Sequence, residues 1–301
     1  MDALTIMDEI QRMENEHPGN RLVKVLYVAD NGENTCRECL DNDGKVFDID
    51  DPGLPQLPIH PHCRCKYVSA TAPYGDVSEE VERYRIVKNL KAAGESDEEK
   101  AKSLAEQIID ARRENPKLRE QRLFLLFNGR YLMSSDGKLL LDAVSGQPVS
   151  EKTTVKWETI FGGNETVERE FDYSYSRQGM IDEGGIPVGL YHIEAKEERS
   201  AKTSPWSHIV KSSGWGNYAW TLHPDEATDV RKRTNFFIHG GLDFNTKGCI
   251  DLQEGIEKFQ KYFVSLRTAS IYIYVKYEKE RVTIREKRPK VYTISPNLFE
   301  I

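Results

Sequence analysis

Apolar and polar positions change rhythm twice along the 301-residue chain. A polar opening leads into one β-branched run, Leu22-Val23-Lys24-Val25-Leu26-Tyr27-Val28, which predicts a strand. From there to about residue 70, Gly, Pro, Asp and Asn dominate, and the stretch is too poor in apolar side chains to fold around a core without a staple. Between Asp76 and Gln121 the pattern turns helical, with Val77, Val81, Tyr84, Val87 and Leu90 at helical spacing. A break at Gly94-Glu95-Ser96-Asp97 predicts two helices, the second capped by Ser96 or Asp97.

After Arg122 the period shortens to that of strands. Leu123 to Phe127 is followed by Asn128-Gly129, Lys138 to Leu141 by Ser145-Gly146, and Thr154 to Phe161 by Gly162-Gly163-Asn164. Each pair predicts a strand and a turn, Asn-Gly being the strongest short hairpin signal. Pro187 to Ile193 and Ser270 to Tyr277 continue the pattern, while Leu252 to Leu266 predicts one amphipathic helix. The expected fold class is therefore α+β. A small Cys/His module spans 1–72, a helical linker 73–121, a mostly β domain 122–279, and a basic strand and tail 280–301.

Charge and hydropathy narrow the classes of function. A formal net charge of −7 argues against a nucleic-acid binder, which needs a basic face to displace counterions from phosphate. The longest apolar runs, Leu123 to Phe127 and Ile271 to Val275, are too short to span a bilayer. The start, Met1-Asp2-Ala3-Leu4, lacks the basic opening of a secretory signal. The expectation is synthesis in the cytoplasm and, for any work outside it, carriage by a specialised system.

Four of the five cysteines, Cys36, Cys39, Cys63 and Cys65, lie within 30 residues of each other, and with His60 and His62 they give six soft or borderline ligands. Zinc is the natural solution for a segment that cannot otherwise pack. Four ligands suffice, so two are spare; Cys36 and Cys39 are the first choices, and His60, Cys63 and Cys65 compete for the rest. Disulfides are the alternative for a chain that meets an oxidising compartment.

The fifth cysteine stands in Phe236-Phe237-Ile238-His239-Gly240-Gly241, followed by Thr246-Lys247-Gly248-Cys249-Ile250-Asp251-Leu252. A histidine ending an apolar strand, with a cysteine ten positions later beside glycine and ahead of a helix, supplies a nucleophile and a base. The helix dipole would favour the thiolate, and main-chain N–H groups at Gly248 and Cys249 would hold an oxyanion. On spacing alone, a buried small thiol and a turn histidine account for the same residues.

Two resemblances go further. The His-Gly and Gly-Cys strings resemble the active-site motif of L,D-transpeptidases, and more closely the L,D-transpeptidase-class effectors of type VI secretion. The resemblance runs from Leu123 to Asn128-Gly129 through Ala143-Val144-Ser145-Gly146, Gly184 to Tyr191, Trp215-Gly216-Asn217 and Leu222-His223-Pro224 to Cys249. It implies an L,D-transpeptidase-like catalytic fold in which Cys249 is nucleophile and His239 general base. Thr246 would orient the imidazole, Gly248 would belong to the oxyanion turn, and Trp215, His223, Gly240 and Lys247 would surround the substrate. Lys247 replaces the second histidine of housekeeping L,D-transpeptidases, which points to trimming or exchange rather than cross-linking. The implied substrate is a peptidoglycan stem peptide, with a cognate immunity protein as partner and the target-cell periplasm as the place of action. The N-terminal string, Cys36-x-x-Cys39, Asp43-Gly44-Lys45-Val46-Phe47, Leu57-Pro58-Ile59-His60-Pro61 and Cys63-Arg64-Cys65, resembles the C-terminal motif of Mu F-like phage head morphogenesis proteins. It implies a partner in a secretion apparatus or phage particle. A phage structural protein with an inert β domain and a cysteine peptidase acting on proteins are the competing expectations.

Overall fold

The computed structural model describes residues 24–29, 35–49, 51–69, 77–157, 162–200, 215–241 and 246–291. Residues 1–23 of the N-terminal module, 73–76 of the expected linker, 242–245 between the two catalytic strings and 292–301 of the expected tail lie outside them. The chain divides into two compact units, 1–109 and 110–301.

In the first unit β1 (Lys24–Val28) is the centre of an antiparallel sheet with β2 (Val46–Asp48) on one side and β3 (Lys66–Ser69) on the other. Helix α1 (Arg37–Asn42) begins at the first cysteine pair, Cys36 serving as its N-cap. The core here is small: Val25, Tyr27, Ala29, Cys39, Leu54 and Tyr67 are its buried members, packed by three more cysteines. Helices α2 (Val77–Ala93) and α3 (Glu98–Glu114) follow, broken where expected, and the side chain of Asp97 accepts from the Lys100 N–H at the start of α3. The division between units falls inside α3.

The second unit opens on the short α4 (Pro116–Arg119) and is mostly strands. Its hairpin β4 (Leu125–Phe127) and β5 (Tyr131–Ser134) turns at Asn128-Gly129, where Asn128 Oδ1 accepts from the N–H groups of Arg130 and Tyr131. With β6 (Leu140–Asp142), β10 (Gly189–Glu194), β13 (His223–Pro224) and β16 (Ser270–Val275) these form a six-stranded sheet ordered β13-β10-β16-β4-β5-β6. A five-stranded sheet is ordered β11-β12-β14-β15-β7, from β7 (Val144–Ser145), β11 (Arg199–Ser200), β12 (Tyr218–Thr221), β14 (Phe237–His239) and β15 (Ile250–Asp251). Both sheets share one core with α6 (Ile256–Ser265): Phe127, Tyr191, Trp220, Ile238, Ile250, Phe259 and Ile273 are fully buried in it. The apolar Ile256, Phe259 and Phe263 recur at three- and four-residue spacing, which is why α6 packs by one face.

Two expectations need correction, and one gains a partner. Gly162-Gly163-Asn164 is no turn: these residues open β9 (Gly162–Asp172), Gly163 and Asn164 pairing with the end of β8 (Ser150–Trp157). The basic strand expected beyond 279 is β17 (Arg281–Val291), and it pairs along all of β9 in a three-stranded sheet. Leu252 to Leu266 is not one helix from its start, because a 3-10 turn at Gln253–Gly255 precedes α6.

Candidate functional sites

In the first unit the β1–β3 sheet and the N-terminus of α1 bring five donors together. Cys36, Cys39 and His60 form one group and Cys39, Cys63 and Cys65 another, with the ligand atoms of each group within 4.8 Å of one another. Cys39 belongs to both and is buried. Its Sγ lies 3.3 Å from His60 Nε2 and 3.9 Å from Cys63 Sγ. The edges of a zinc tetrahedron with bonds of ~2.3 Å to sulfur and ~2.0 Å to nitrogen are roughly 3.5 Å and 3.7 Å. The two pairs that share Cys39, with His60 and with Cys63, therefore stand at about metal-ligand spacing. His60 Nδ1 is 2.9 Å from the Pro61 carbonyl, so Nδ1–H donates there and Nε2 is left as the ligand atom. The Cys36 thiol is pulled below its ordinary range by main-chain N–H groups, Cys39 N–H first at 3.4 Å. The Cys63 thiol also lies below its ordinary range, because main-chain N–H groups at Cys65 and Ile59 outweigh the opposing effect of its burial. Lowered thiols favour the deprotonated ligand form. All five cysteines of the chain are free. His62 sits at a left-handed turn, φ 67°, and is in neither donor group.

Residues 3–68 match the family described as Phage Mu protein F like protein. No curated protein matches the chain. The Mu F-like segment thus ends within β3 and contains every member of the donor cluster.

In the second unit, β14 runs parallel to β15, with Ile238 opposite Ile250 and His239 opposite Asp251. Cys249 immediately precedes β15, so successive alternation puts its side chain on the same face as those of Asp251 and His239. The short strands are pinned on both sides: Ala219 pairs with His239, and Val144 with Asp251. His239 Nδ1 lies 2.8 Å from the Gly240 carbonyl and 4.0 Å from Asp251 Oδ1. Nδ1 thus carries the proton, and Nε2 is the basic nitrogen. The Trp215 ring stacks on the imidazole at 4.9 Å and 11°. No hydrogen bond joins the Cys249 thiol to His239.

Both groups are neutral at physiological pH. His239 is only 4% exposed, and burial lowers its pKa to about 4 against the opposing Gly240 carbonyl. Cys249, 6% exposed, is pushed up to about 12 by burial, with Asp251 adding to the rise and a main-chain N–H at Phe237 and the charge of Arg233 opposing it. The expected help from a helix dipole is absent, since a strand and a 3-10 turn separate Cys249 from α6. Both the thiol and the imidazole are therefore uncharged at rest.

The turn before Cys249 is built from both ends. Thr246 Oγ1 donates to the Cys249 carbonyl at 3.0 Å and accepts from Gly146 N–H at 2.9 Å. It braces the turn and makes no hydrogen bond to the imidazole. Gly248 has φ 99°, and a Cβ there would lie 1.8 Å from Arg233 Nη2. Arg233 is 6% exposed and donates to the carbonyls of Gln178, Gly184, Gly185 and Lys247. One guanidinium therefore ties the loop after α5 (Tyr175–Gln178) to the Gly248 turn.

The remaining expected substrate contacts separate. Gly240 is a packing glycine, since a Cβ would lie 2.5 Å from the Gln253 carbonyl and from the Ile256 side chain. Lys247 is exposed and paired with Asp182 at 3.4 Å. His223 stands in the other sheet, 2.6 Å from Glu197 and stacked on His192. Of these, Trp215 touches the imidazole by its ring and Gly240 by its carbonyl; Lys247 and His223 make neither contact. Arg233 and Asp251 went unseen in the sequence. Arg231-Lys232-Arg233 reads as a solvated basic turn, and only the left-handed φ of 55° and 59° at Arg231 and Lys232 turns the third arginine inward. The Asp251 signal was present, since alternation from His239's partner strand places it on the imidazole face.

Proposed function

We propose that this chain is a cysteine acyl-transfer enzyme of L,D-transpeptidase type that acts on peptidoglycan stem peptides, joined to a zinc-stabilised Mu F-like module. Residues 122–279 are the proposed catalytic domain, 1–72 the module and 73–121 the linker. What supports the reading is the β14–β15 pairing, which sets an Nδ1-protonated His239 opposite Asp251, two positions after Cys249.

In the proposed reaction, substrate binding closes the remaining gap between the groups and Nε2 of His239 takes the Cys249 proton. The sulfur attacks the carbonyl at the L-centre of diaminopimelate in a tetrapeptide stem, and the turn at Gly248 and Cys249 offers main-chain N–H groups to the oxyanion. The C–N bond to the terminal D-alanine then breaks, the imidazolium returning its proton to the leaving amine. Water attacks the thioester to release a tripeptide stem, or a D-amino acid attacks to exchange the terminus. Either outcome removes donors needed for cross-linking, which fits an antibacterial toxin delivered by a type VI apparatus to the periplasm and held in check by an immunity protein. In the module, Cys36, Cys39, His60, Cys63 and Cys65 supply four zinc ligands between them, and the ion's part is to hold the small core together.

The test is incubation of the full chain and its Cys249→Ala variant with diaminopimelate tetrapeptide muropeptides, with and without added D-amino acid, and mass spectrometry of the products. Loss or exchange of D-alanine only with the intact cysteine supports the reading. The match of residues 3–68 to a phage family favours a second one, a phage-particle component. Unchanged muropeptides in both samples, with binding of the chain to a portal or capsid protein, would favour it.

A further inference from the structure

The hydroxyl of Tyr27 is buried without a hydrogen-bond partner. Its residue is fully buried at the centre of β1, opposite Tyr67 on β3 and in edge contact with that ring at 5.7 Å. The two tyrosines differ in one respect: the Tyr67 hydroxyl donates to the Pro55 carbonyl, whereas that of Tyr27, in a core cluster that holds Cys39 and is packed by Cys65, completes no hydrogen bond. Buried polar atoms are nearly always satisfied, and an orphan marks a missing partner. A thiol is a poor acceptor, and a metal-bound thiolate is a good one.

We propose that Tyr27 is an outer-sphere donor of the metal site, its hydroxyl hydrogen-bonding to the thiolates of Cys39 and Cys65 once a metal has displaced their protons. This rests on the zinc reading of the module. The orphan is then a feature of the protonated cluster only. Metal loading removes two thiol protons and supplies the hydroxyl with acceptors in the same step, which ties zinc affinity to a residue that is no ligand. The proposal also accounts for a tyrosine rather than a phenylalanine at a position with no solvent contact.

The test is competition between the full-length chain and a chromophoric chelator for Zn(II), comparing the natural protein with Tyr27→Phe and Tyr67→Phe. The expected result is one zinc per chain in all three, with affinity falling roughly 10- to 100-fold in Tyr27→Phe and by less than about threefold in Tyr67→Phe. The sulfur-to-metal charge-transfer band of the Co(II)-loaded protein should shift in Tyr27→Phe alone. Phenylalanine keeps the ring and deletes only the orphan, so the metal-free variant should be at least as stable as the natural chain. Equal affinities for the natural and Tyr27→Phe proteins, equal losses in both variants, or a metal-free Tyr27→Phe protein that is itself unfolded would overturn the proposal. Failure of the natural chain to bind zinc would overturn the metal reading beneath it.

Discussion

The two units place their chemistry in opposite relations to their cores. In the first, the reactive side chains are the core: Cys39 is among its buried members, and Cys36, Cys63 and Cys65 pack on it. In the second, a large apolar core exists without Cys249 and His239, and His239 is fixed by short strands paired on both sides. A segment with few apolar side chains packs its potential ligands into the core itself, while a segment with many holds a thiol and an imidazole neutral and unbonded to each other on strands beside the core.

The comparison can be broken at several points, the largest effect first. Cys249→Ala should reduce muropeptide turnover on the order of 10⁴-fold or more while leaving hydrogen exchange over 122–291 unchanged. A fall in activity that comes with loss of protection there would make Cys249 a packing residue. Chelation of metal, or Cys39→Ser, should expose the amides of 24–69 to rapid exchange and leave the strands of the second unit protected; loss in both would show that the units do not differ in what holds them. Phe259→Ala should cost about 3–5 kcal/mol in the second unit, read by denaturant unfolding, with zinc affinity unaltered.

Acid supplies the next test. The pKa of His239 falls from an ordinary 6.5 to about 4 in the folded chain, so the folded state binds fewer protons between these values. The stability it contributes is complete above pH 6.5 and is lost as the pH falls toward 4, roughly 3 kcal/mol in all at about 1.4 kcal/mol per unit. His239→Gln should flatten that part of the stability profile, and kcat/KM of the natural chain should fall through the same acid limb near pH 4. An unaltered profile in the variant would remove His239 as the buried base. Smallest, Gly248→Ala should cost about 10²-fold in kcat, because its Cβ would overlap the Arg233 guanidinium and displace the turn. Full activity in that variant would free the turn from Arg233.

What the sequence made legible follows from how local each signal is. Cys36, Cys39, His60, Cys63 and Cys65 could be gathered because their spacing is short and their chemistry has one common use. The hairpin at Asn128-Gly129 was readable for the same reason, the asparagine side chain closing its own turn. His239 and Cys249 stood out as strings, but their electrostatics did not: burial opposes a thiolate, and no helix begins at Cys249 to favour one. Arg233 was hidden because its four carbonyl partners come from 178, 184, 185 and 247, and nothing in a run of basic residues says which one is buried. Glycines misled in one place, where Gly162-Gly163-Asn164 pair within a ladder instead of turning.

The central claim is that Cys249 carries the acyl group of a peptidoglycan stem. Rapid quenching of the full chain with a diaminopimelate tetrapeptide, followed by intact-protein and peptide mass spectrometry, tests it most directly. The account predicts a tripeptide-acyl adduct on Cys249 that hydroxylamine removes and that the Cys249→Ala variant lacks. Turnover of the substrate by both proteins, or by neither with no adduct formed, would contradict it.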